Sequence, residues 1–275
     1  MRGRGKMNKI GVIGAGAMAE ALIEGFLSEG VFASDDIYIS DIKDSRVREL
    51  EKKYGVVGRV NNKDLVSDVD YIVLAVKPKG IFSVLEEVKE EVKLSQIVIS
   101  IAAGISTENI EEILKEGAKV VRLMPNTPLL VGEGAIAYSL GSSVSLEEGN
   151  IIEELLSPIS LVAKVGEEQM AAVTGLSGSG PAYIYLIIEA LMDAGINVGL
   201  DKELALDLSL QTVIGSAKMV KESNLHPAEL KNMVTSPGGT TIAALKVLEE
   251  RGLRSALYEA VEASANKSKR LKEES

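Results

Sequence analysis

The chain has 275 residues, 46% hydrophobic and 25% charged, which leaves room for one large or two modest globular domains. Its net charge of −10 disfavours a nucleic-acid role, because the only basic clusters, the leader MRGRGKM and the tail KSKRLK, are short, terminal and expected to be solvated. Zero cysteines exclude disulfides, zinc thiolates and thiol nucleophiles, and the single histidine, His226, excludes a multi-histidine metal site.

In chain order, Met7 is the expected natural start, with the first six residues an extension outside the fold. Lys9 to Gly14 (KIGVIG) reads as a strand and Ala17 to Glu29 as a helix. Between them lies G-x-G-x-x-A, with Gly14 for the tight turn, Gly16 for close approach of a pyrophosphate and Ala19 for helix–strand packing. The helix start behind this loop turns free N–H groups and a positive dipole end toward phosphate. Asp36 to Ser40 is a second strand, and Asp41 at its end stands where an acid would take the adenosine ribose hydroxyls of NAD and repel a 2′-phosphate. Lys43 and Arg46 offer the opposite preference, and an aspartate there is also a common helix cap. Cofactor choice therefore stays open, with a lean to NADH.

A helix over VRELEKKYG precedes the strand Tyr71 to Val76, and strands follow at Gln96 to Gly104 and Lys119 to Asn126, separated by a helix over STENIEEILKEG. Near-continuous apolar strands joined by amphipathic helices predict a parallel sheet covered on both faces. GAIAYSL and AKVGE are candidate extra strands. The strand ends AVKP (Ala75, Val76, Lys77, Pro78), SIAAG (with Ala102 and Ala103) and MPNTP fall where ligands bind in such sheets. Small residues and prolines there leave room for a flat nicotinamide, and Asn126 is the side-chain donor for its carboxamide.

From Glu167 onward the strand signal vanishes. PAYIYLIIEALMDAGINVGL and DKELALDLSLQTVIGSAKMVKES read as long helices, PAELKNMV, GTTIAALKVLEERG and RSALYEAVEASANKSKRLKEE as further ones. The first is apolar on nearly every side, which calls for burial against a second copy or in a monomer core. The fold class is therefore α/β plus all-α: a Rossmann dinucleotide-binding domain over residues 7–166 and an all-helical dimerisation and substrate domain over 167–275. No apolar run is read as long enough to span a bilayer and the leader lacks a signal-peptide core, so the expected compartment is the cytoplasm. The tail after Ala265 is expected to be frayed and has no assigned role.

Together, IGAGAMAEAL, AVKP, SIAAGIS, RLMPNTP, GLSGSGPAYIY, GSAKMV and SPGGTTIAAL resemble the pyrroline-5-carboxylate reductase family, in order and spacing, from Met7 to the last helix. The resemblance implies NADPH- or NADH-dependent reduction of 1-pyrroline-5-carboxylate to L-proline, a Rossmann domain plus a helical dimerisation domain, and a homodimer or higher homo-oligomer. It places the pyrophosphate loop at Ile13, Gly14, Ala15, Gly16, Ala17 and Met18, the nicotinamide ribose at AVKP, the adenosine phosphate near Asn62, and the substrate at Ser236, Gly238, Gly239, Thr240 and Thr241. Departures from the family pattern are Ala17 where Asn is common, Asn232 where Asp is common, and Asn224 near a frequent Glu. Where Asp41 stands, NADPH-preferring relatives often carry a small polar residue.

A helix start stripped of side chains at Gly238 and Gly239 suits a carboxylate, and the two threonine hydroxyls can bond either carboxylate or imine nitrogen. Thr241 is the expected holder of, or donor to, the imine nitrogen, and an electrophilic iminium needs no strong acid. Because this loop lies in the helical domain, its partner sheet can belong to the other subunit. His226 reads as a turn residue before a helix, and Lys77 as a cofactor-side residue rather than a proton donor. Ser177 and Ser179 either cap the first long helix or border the pocket. No metal, nucleic acid or membrane is expected. The rival readings are a reductase of another cyclic imine and a non-catalytic dinucleotide sensor.

Overall fold

The computed structural model describes residues 8–273; the leader, Met7 as start, and the last two tail residues lie outside the described residues. Eight strands, β1 (Ile10–Ile13), β2 (Ile37–Ser40), β3 (Val57–Gly58), β4 (Tyr71–Leu74), β5 (Ile97–Ser100), β6 (Lys119–Pro125), β7 (Gly134–Leu140) and β8 (Ser160–Lys164), form one sheet in the order β3-β2-β1-β4-β5-β6-β7-β8. All pairs are parallel except β6 with β7, and β1 sits between β2 and β4 with Ile13 opposite both Ser40 and Leu74. The chain thus leaves β1 toward β2 on one side and reaches β4 on the other. The carboxyl ends of these strands make the crevice at which such sheets bind ligands.

Helices α1 (Ala17–Ser28), α2 (Asp44–Tyr54) and α6 (Leu146–Leu156) cover one face, and α3 (Asn62–Asp68), α4 (Pro78–Val88) and α5 (Thr107–Glu111) the other. The two-residue period of the strands divides the core accordingly. Ile10 and Val12 pack with Leu22, Phe26 and Leu50, whereas Ile13 packs with Leu65, Ile81 and Leu85. Three covering helices, α3, α4 and α6, were not expected from the sequence. Their starts carry local signals: Asn61 caps α3, Pro78 opens α4, and Ser145 with Glu148 forms a capping box for α6.

The candidate strands at GAIAYSL and AKVGE are β7 and β8, although β8 starts earlier, at Ser160. β5 stops at Ser100, short of the expected Gly104, because the chain turns out of the sheet there and Gly104 adopts a left-handed φ of 81°. The helix expected over STENIEEILKEG is only α5, a single short turn closed before Gly117 at φ 85°.

The described residues fall into two compact units, 8–179 with 263–273, and 180–262. The remaining helices are α7 (Met170–Val173), α8 (Gly180–Asn197), α9 (Lys202–Ser223), α10 (Pro227–Met233), α11 (Thr240–Glu250) and α12 (Leu253–Glu273). Between α7 and α8 the helix continues through a π-turn over Thr174–Gly178, so Ser177 and Ser179 lie inside a helical run and do not cap its start. In the second unit α8 packs on α9, yet large apolar side chains such as Leu186, Leu208, Ile214 and Met219 remain exposed. By length and composition, the helical stretch 167–197 would pass for a membrane span, contrary to the sequence expectation, and only 11% of its most apolar window is buried. The tail expected to fray is helical: α12 runs unbroken to Glu273.

Candidate active site

The loop after β1 takes its shape from two glycines with different demands. Gly14 has φ 104°, and a Cβ added there would sit 2.8 Å from the Ala75 carbonyl, so only glycine fits between β1 and β4. Gly16 has an ordinary φ of −72°, but a Cβ on it would project into open space. Gly16 is also the N-cap of α1 and brings no side-chain cap, leaving the first-turn amides to a ligand. Ala19 is buried beneath them, as the close helix–strand contact requires.

Two charged side chains hold this loop from behind. The Asp41 carboxylate accepts the Ala15 amide at 2.7 Å and the Lys43 amide at 2.8 Å. Arg46 on α2 donates through Nε to the Ala15 carbonyl at 2.8 Å, and its other nitrogens pair with Glu20 and Glu49. Glu20 in turn takes Lys53 at 2.8 Å and the Tyr54 hydroxyl at 3.0 Å. The Lys53 ammonium, with Arg46 and Tyr54, holds the Glu20 carboxyl down at about 2. Arg46, noted in the sequence only as a charge near Asp41, is therefore a clamp on the loop, and no sequence signal distinguishes that role.

In front of the loop lies a cleft of about 380 Å³. Of the expected cofactor residues it brings together Gly16, Ala17, Met18, Ala75, Val76, Lys77, Pro78, Ala102, Ala103 and Asn126. Ile13, Gly14, Ala15, Asp41 and Asn62 do not line it. Asn62 accepts the Ser40 hydroxyl at 2.7 Å and donates to Glu87 at 2.9 Å, at the ends of β2 and α4. The Asn126 carbonyl oxygen accepts the Ala135 amide at 2.9 Å, and its Nδ2 donates to Ser177 at 3.3 Å, so its side chain bridges β7 and the π-turn at the cleft wall. Ile101, Met124, Pro125, Thr127 and Gly178 line the cleft as well and were not singled out in the sequence. Met124, Pro125 and Thr127 were within the strand end MPNTP; Gly178 was within SGSGPAY, whose pocket-bordering alternative this placement favours. Lys77 is exposed at the N-cap of α4.

The second glycine loop lies in the second unit. Gly238 has φ 70°, and Gly239 is the N-cap of α11 without any side-chain cap. No acidic residue occupies the first turn of α11. A Cβ on Gly239 would meet Ser236 Oγ at 2.4 Å, so the turn is closed tightly on that serine. Thr240 and Thr241 follow as the first helical residues, Thr240 exposed and Thr241 half-buried. The bare helix start expected from the sequence is present, with the polarity an anion requires. His226 caps α10, its Nδ1 accepting the Ala228 amide at 3.2 Å while its own amide donates to Glu229. It is a turn residue, as expected.

Residues 167–271 match the family model for pyrroline-5-carboxylate reductase dimerisation, and residues 9–104 match that for NADP oxidoreductase coenzyme F420-dependent. The chain is 43% identical over 263 residues to the pyrroline-5-carboxylate reductase of Methanosarcina acetivorans, covering 96% of this chain and 97% of that one. To the Arabidopsis thaliana enzyme of the same name it is 41% identical, covering 96% and 95%. Among solved structures, a pyrroline-5-carboxylate reductase from Coxiella burnetii superposes with a TM-score of 0.89 at 38% identity, covering 97% and 99%. The Plasmodium falciparum pyrroline carboxylate reductase with NADP bound gives 0.87 at 34% identity, covering 96% and 98%.

Proposed function

The chain belongs to the pyrroline-5-carboxylate reductase family, and from that membership we propose how its residues divide the reaction. It reduces 1-pyrroline-5-carboxylate to L-proline with NADPH or NADH, the last step of proline biosynthesis. A bound nicotinamide cofactor supplies the hydride. The residues present fit such a group: glycine is required at Gly14, and open space faces Gly16 at the bare start of α1.

The proposed roles follow from the two glycine loops. Ile13 to Met18 hold the pyrophosphate, with Gly16 and the α1 amides as donors. Ala75 to Pro78, Ala102, Ala103 and Asn126 bind the ribose and nicotinamide, and Asn62 supports the adenosine side. Ser236, Gly238 and Gly239 present the α11 amides to the substrate carboxylate. Thr240 and Thr241 add hydroxyls, and Thr241 holds the imine nitrogen while its neighbouring carbon is reduced. The transferred proton need not come from a strong acid, since a protonated imine is already electrophilic. Catalysis then rests on holding the two reactants in register.

NADH is the favoured cofactor on this reading, because Asp41 sets a negative charge at the end of β2 and Arg46 is already committed to Ala15, Glu20 and Glu49. The exposed apolar faces of α8 and α9 are covered by a second copy of the chain rather than by lipid or nucleic acid, with the functional division falling between residues 166 and 167. Supporting this is the dimerisation match, which begins at residue 167.

The observation that carries the mechanism is the uncapped start of α11 followed directly by two threonines. Following NADH and NADPH oxidation with and without 1-pyrroline-5-carboxylate tests the activity. In the same assay Thr241→Ala is expected to lower kcat/KM about 100-fold. An unchanged kcat/KM removes Thr241 from the chemistry, and cofactor binding without turnover overturns the activity.

A further inference from the structure

We propose that the end of α12 is a positioning strut for the nicotinamide end of the cleft. Three observations meet there. Ser264, Ser268 and Leu271 are spaced by four and three residues, so they share one face of α12. Each is engaged within the first unit. Ser264 Oγ lies 2.8 Å from Ser179 Oγ, next to Gly178 of the cleft wall. Ser268 is 6% exposed, an unusual depth for a serine near the end of a charged helix. Leu271, 37% exposed at its outer end, approaches Gly104 with its Cβ and backbone: a Cβ added to that glycine would fall 2.9 Å from Leu271 Cβ and 3.5 Å from its carbonyl carbon.

These contacts touch the two cleft walls that hold no glycine-loop backbone. Gly104 follows Ala102 and Ala103, which line the cleft where the chain leaves β5. Ser179 follows Ser177 and Gly178, the first bonded to Asn126 and the second lining the cleft. Both walls are turns rather than regular structure, a left-handed glycine on one side and a π-turn on the other. Neither is fixed by strand pairing, so each needs an outside contact to hold its shape. The face of α12 supplies one to each. The pyrophosphate loop, in contrast, is held by Asp41 and Arg46 and needs nothing from α12.

The inference rests on the cleft being the cofactor site, and its test separates the two ideas. Affinities for NADH and for ADP-ribose, which lacks the nicotinamide ring, are measured on Leu271→Gly, Leu271→Ala, Ser264→Ala with Leu271→Gly, and Gly16→Val. Leu271→Gly, which removes the Cβ set against Gly104, is expected to weaken NADH by roughly tenfold and to leave ADP-ribose within about twofold, with a further loss in the double variant. Leu271→Ala, which keeps that Cβ, retains NADH binding. An unaltered NADH affinity in the Leu271→Gly and double variants overturns the strut, and so does an equal loss of both ligands. If Gly16→Val leaves both affinities intact, the cleft assignment fails and the strut with it. If Gly16→Val abolishes both while Leu271→Gly changes neither, the strut alone fails.

Discussion

The Asp41 carboxylate at the end of β2 accepts the amide of Ala15 at 2.7 Å, so one side chain sets a charge at the end of β2 and also fixes the middle of the glycine loop after β1. Charge and loop geometry are thereby coupled at one position, and two variants separate them. Asp41→Asn keeps an acceptor for Ala15 and removes the charge; Asp41→Ser removes both. We expect the ratio of kcat/KM for NADPH over NADH to rise about tenfold in each, an effect near 1.4 kcal/mol. KM for both cofactors should rise together only in Asp41→Ser. Steady-state kinetics with the two cofactors checks this, and an unaltered ratio takes Asp41 out of cofactor choice.

Arg46 answers Asp41 from the other side of the same residue, through the Ala15 carbonyl. Replacing it by Leu leaves that carbonyl and Glu20 short of a donor. The expected result is a KM for cofactor raised by about 10-fold with kcat little changed, because the loop binds but does not react. Arg46→Lys, which cannot reach Ala15, Glu20 and Glu49 at once, should recover only part of the loss.

Glu20 contributes a pH dependence. Its folded-state carboxyl is held at about 2, chiefly by Lys53 and then by Arg46 and Tyr54, against an ordinary value of 4.5. A depressed carboxylate stabilises the fold above its unfolded value, and the contribution disappears as pH falls from about 4.5 toward 2. With solvent screening of this partly exposed cluster the effect should be about 1–2 kcal/mol. Thermal melts of the wild type should therefore lose several degrees more than those of Glu20→Gln over that interval. Parallel curves would show that the pairing adds nothing to stability.

Arg122 lies buried in the middle of β6 and pairs with Glu167, while Arg122 Nε and one Glu167 oxygen find no hydrogen-bond partner among the described residues. Breaking such a pair from one side leaves a charge uncompensated. Glu167→Leu or Arg122→Leu should each destabilise the fold by about 3–5 kcal/mol, and the double apolar variant should recover most of that. Chemical denaturation of the three variants checks the cycle, and simple additivity would show that the charges act independently.

Gly239 closes the turn before α11 on Ser236, where a methyl group would meet the serine Oγ at 2.4 Å; on the proposed assignment this turn holds the substrate. Gly239→Ala is expected to push Ser236 Oγ aside and raise KM for 1-pyrroline-5-carboxylate by about 10-fold or more, with cofactor KM unmoved. A cofactor-side effect of equal size would count against the assignment of this turn to the substrate.

Much of this molecule is legible in its residues. The apolar strands and the glycine spacing place β1, β2, β4, β5 and β6 correctly, because a doubly covered parallel strand has few alternatives to a β-branched run. Gly14 is readable because its conformation and its approach to Ala75 admit no other residue, and Gly16 because a side chain there would fill the open space in front of α1. What escaped reading depends on contacts distant in sequence. Arg46 becomes a loop clamp only because α2 packs beside α1, and Gly178 reaches the cleft only through a π-turn that no local pattern announces. The tail looks frayed by charge count, since Lys267, Lys269 and Arg270 dominate it. The inward placement of Ser264 and Ser268 and the approach of Leu271 to Gly104 emerge only when the helix is folded.

Asn224 has φ 56°, the one left-handed non-glycine among the described residues, where α9 ends. Asparagine tolerates that conformation far better than a longer acid does. A β-branched residue at this position would strain the end of α9 whatever its polarity. The turn that carries the chain from α9 into α10 thus hangs on the backbone tolerance of one residue, not on any contact its side chain makes.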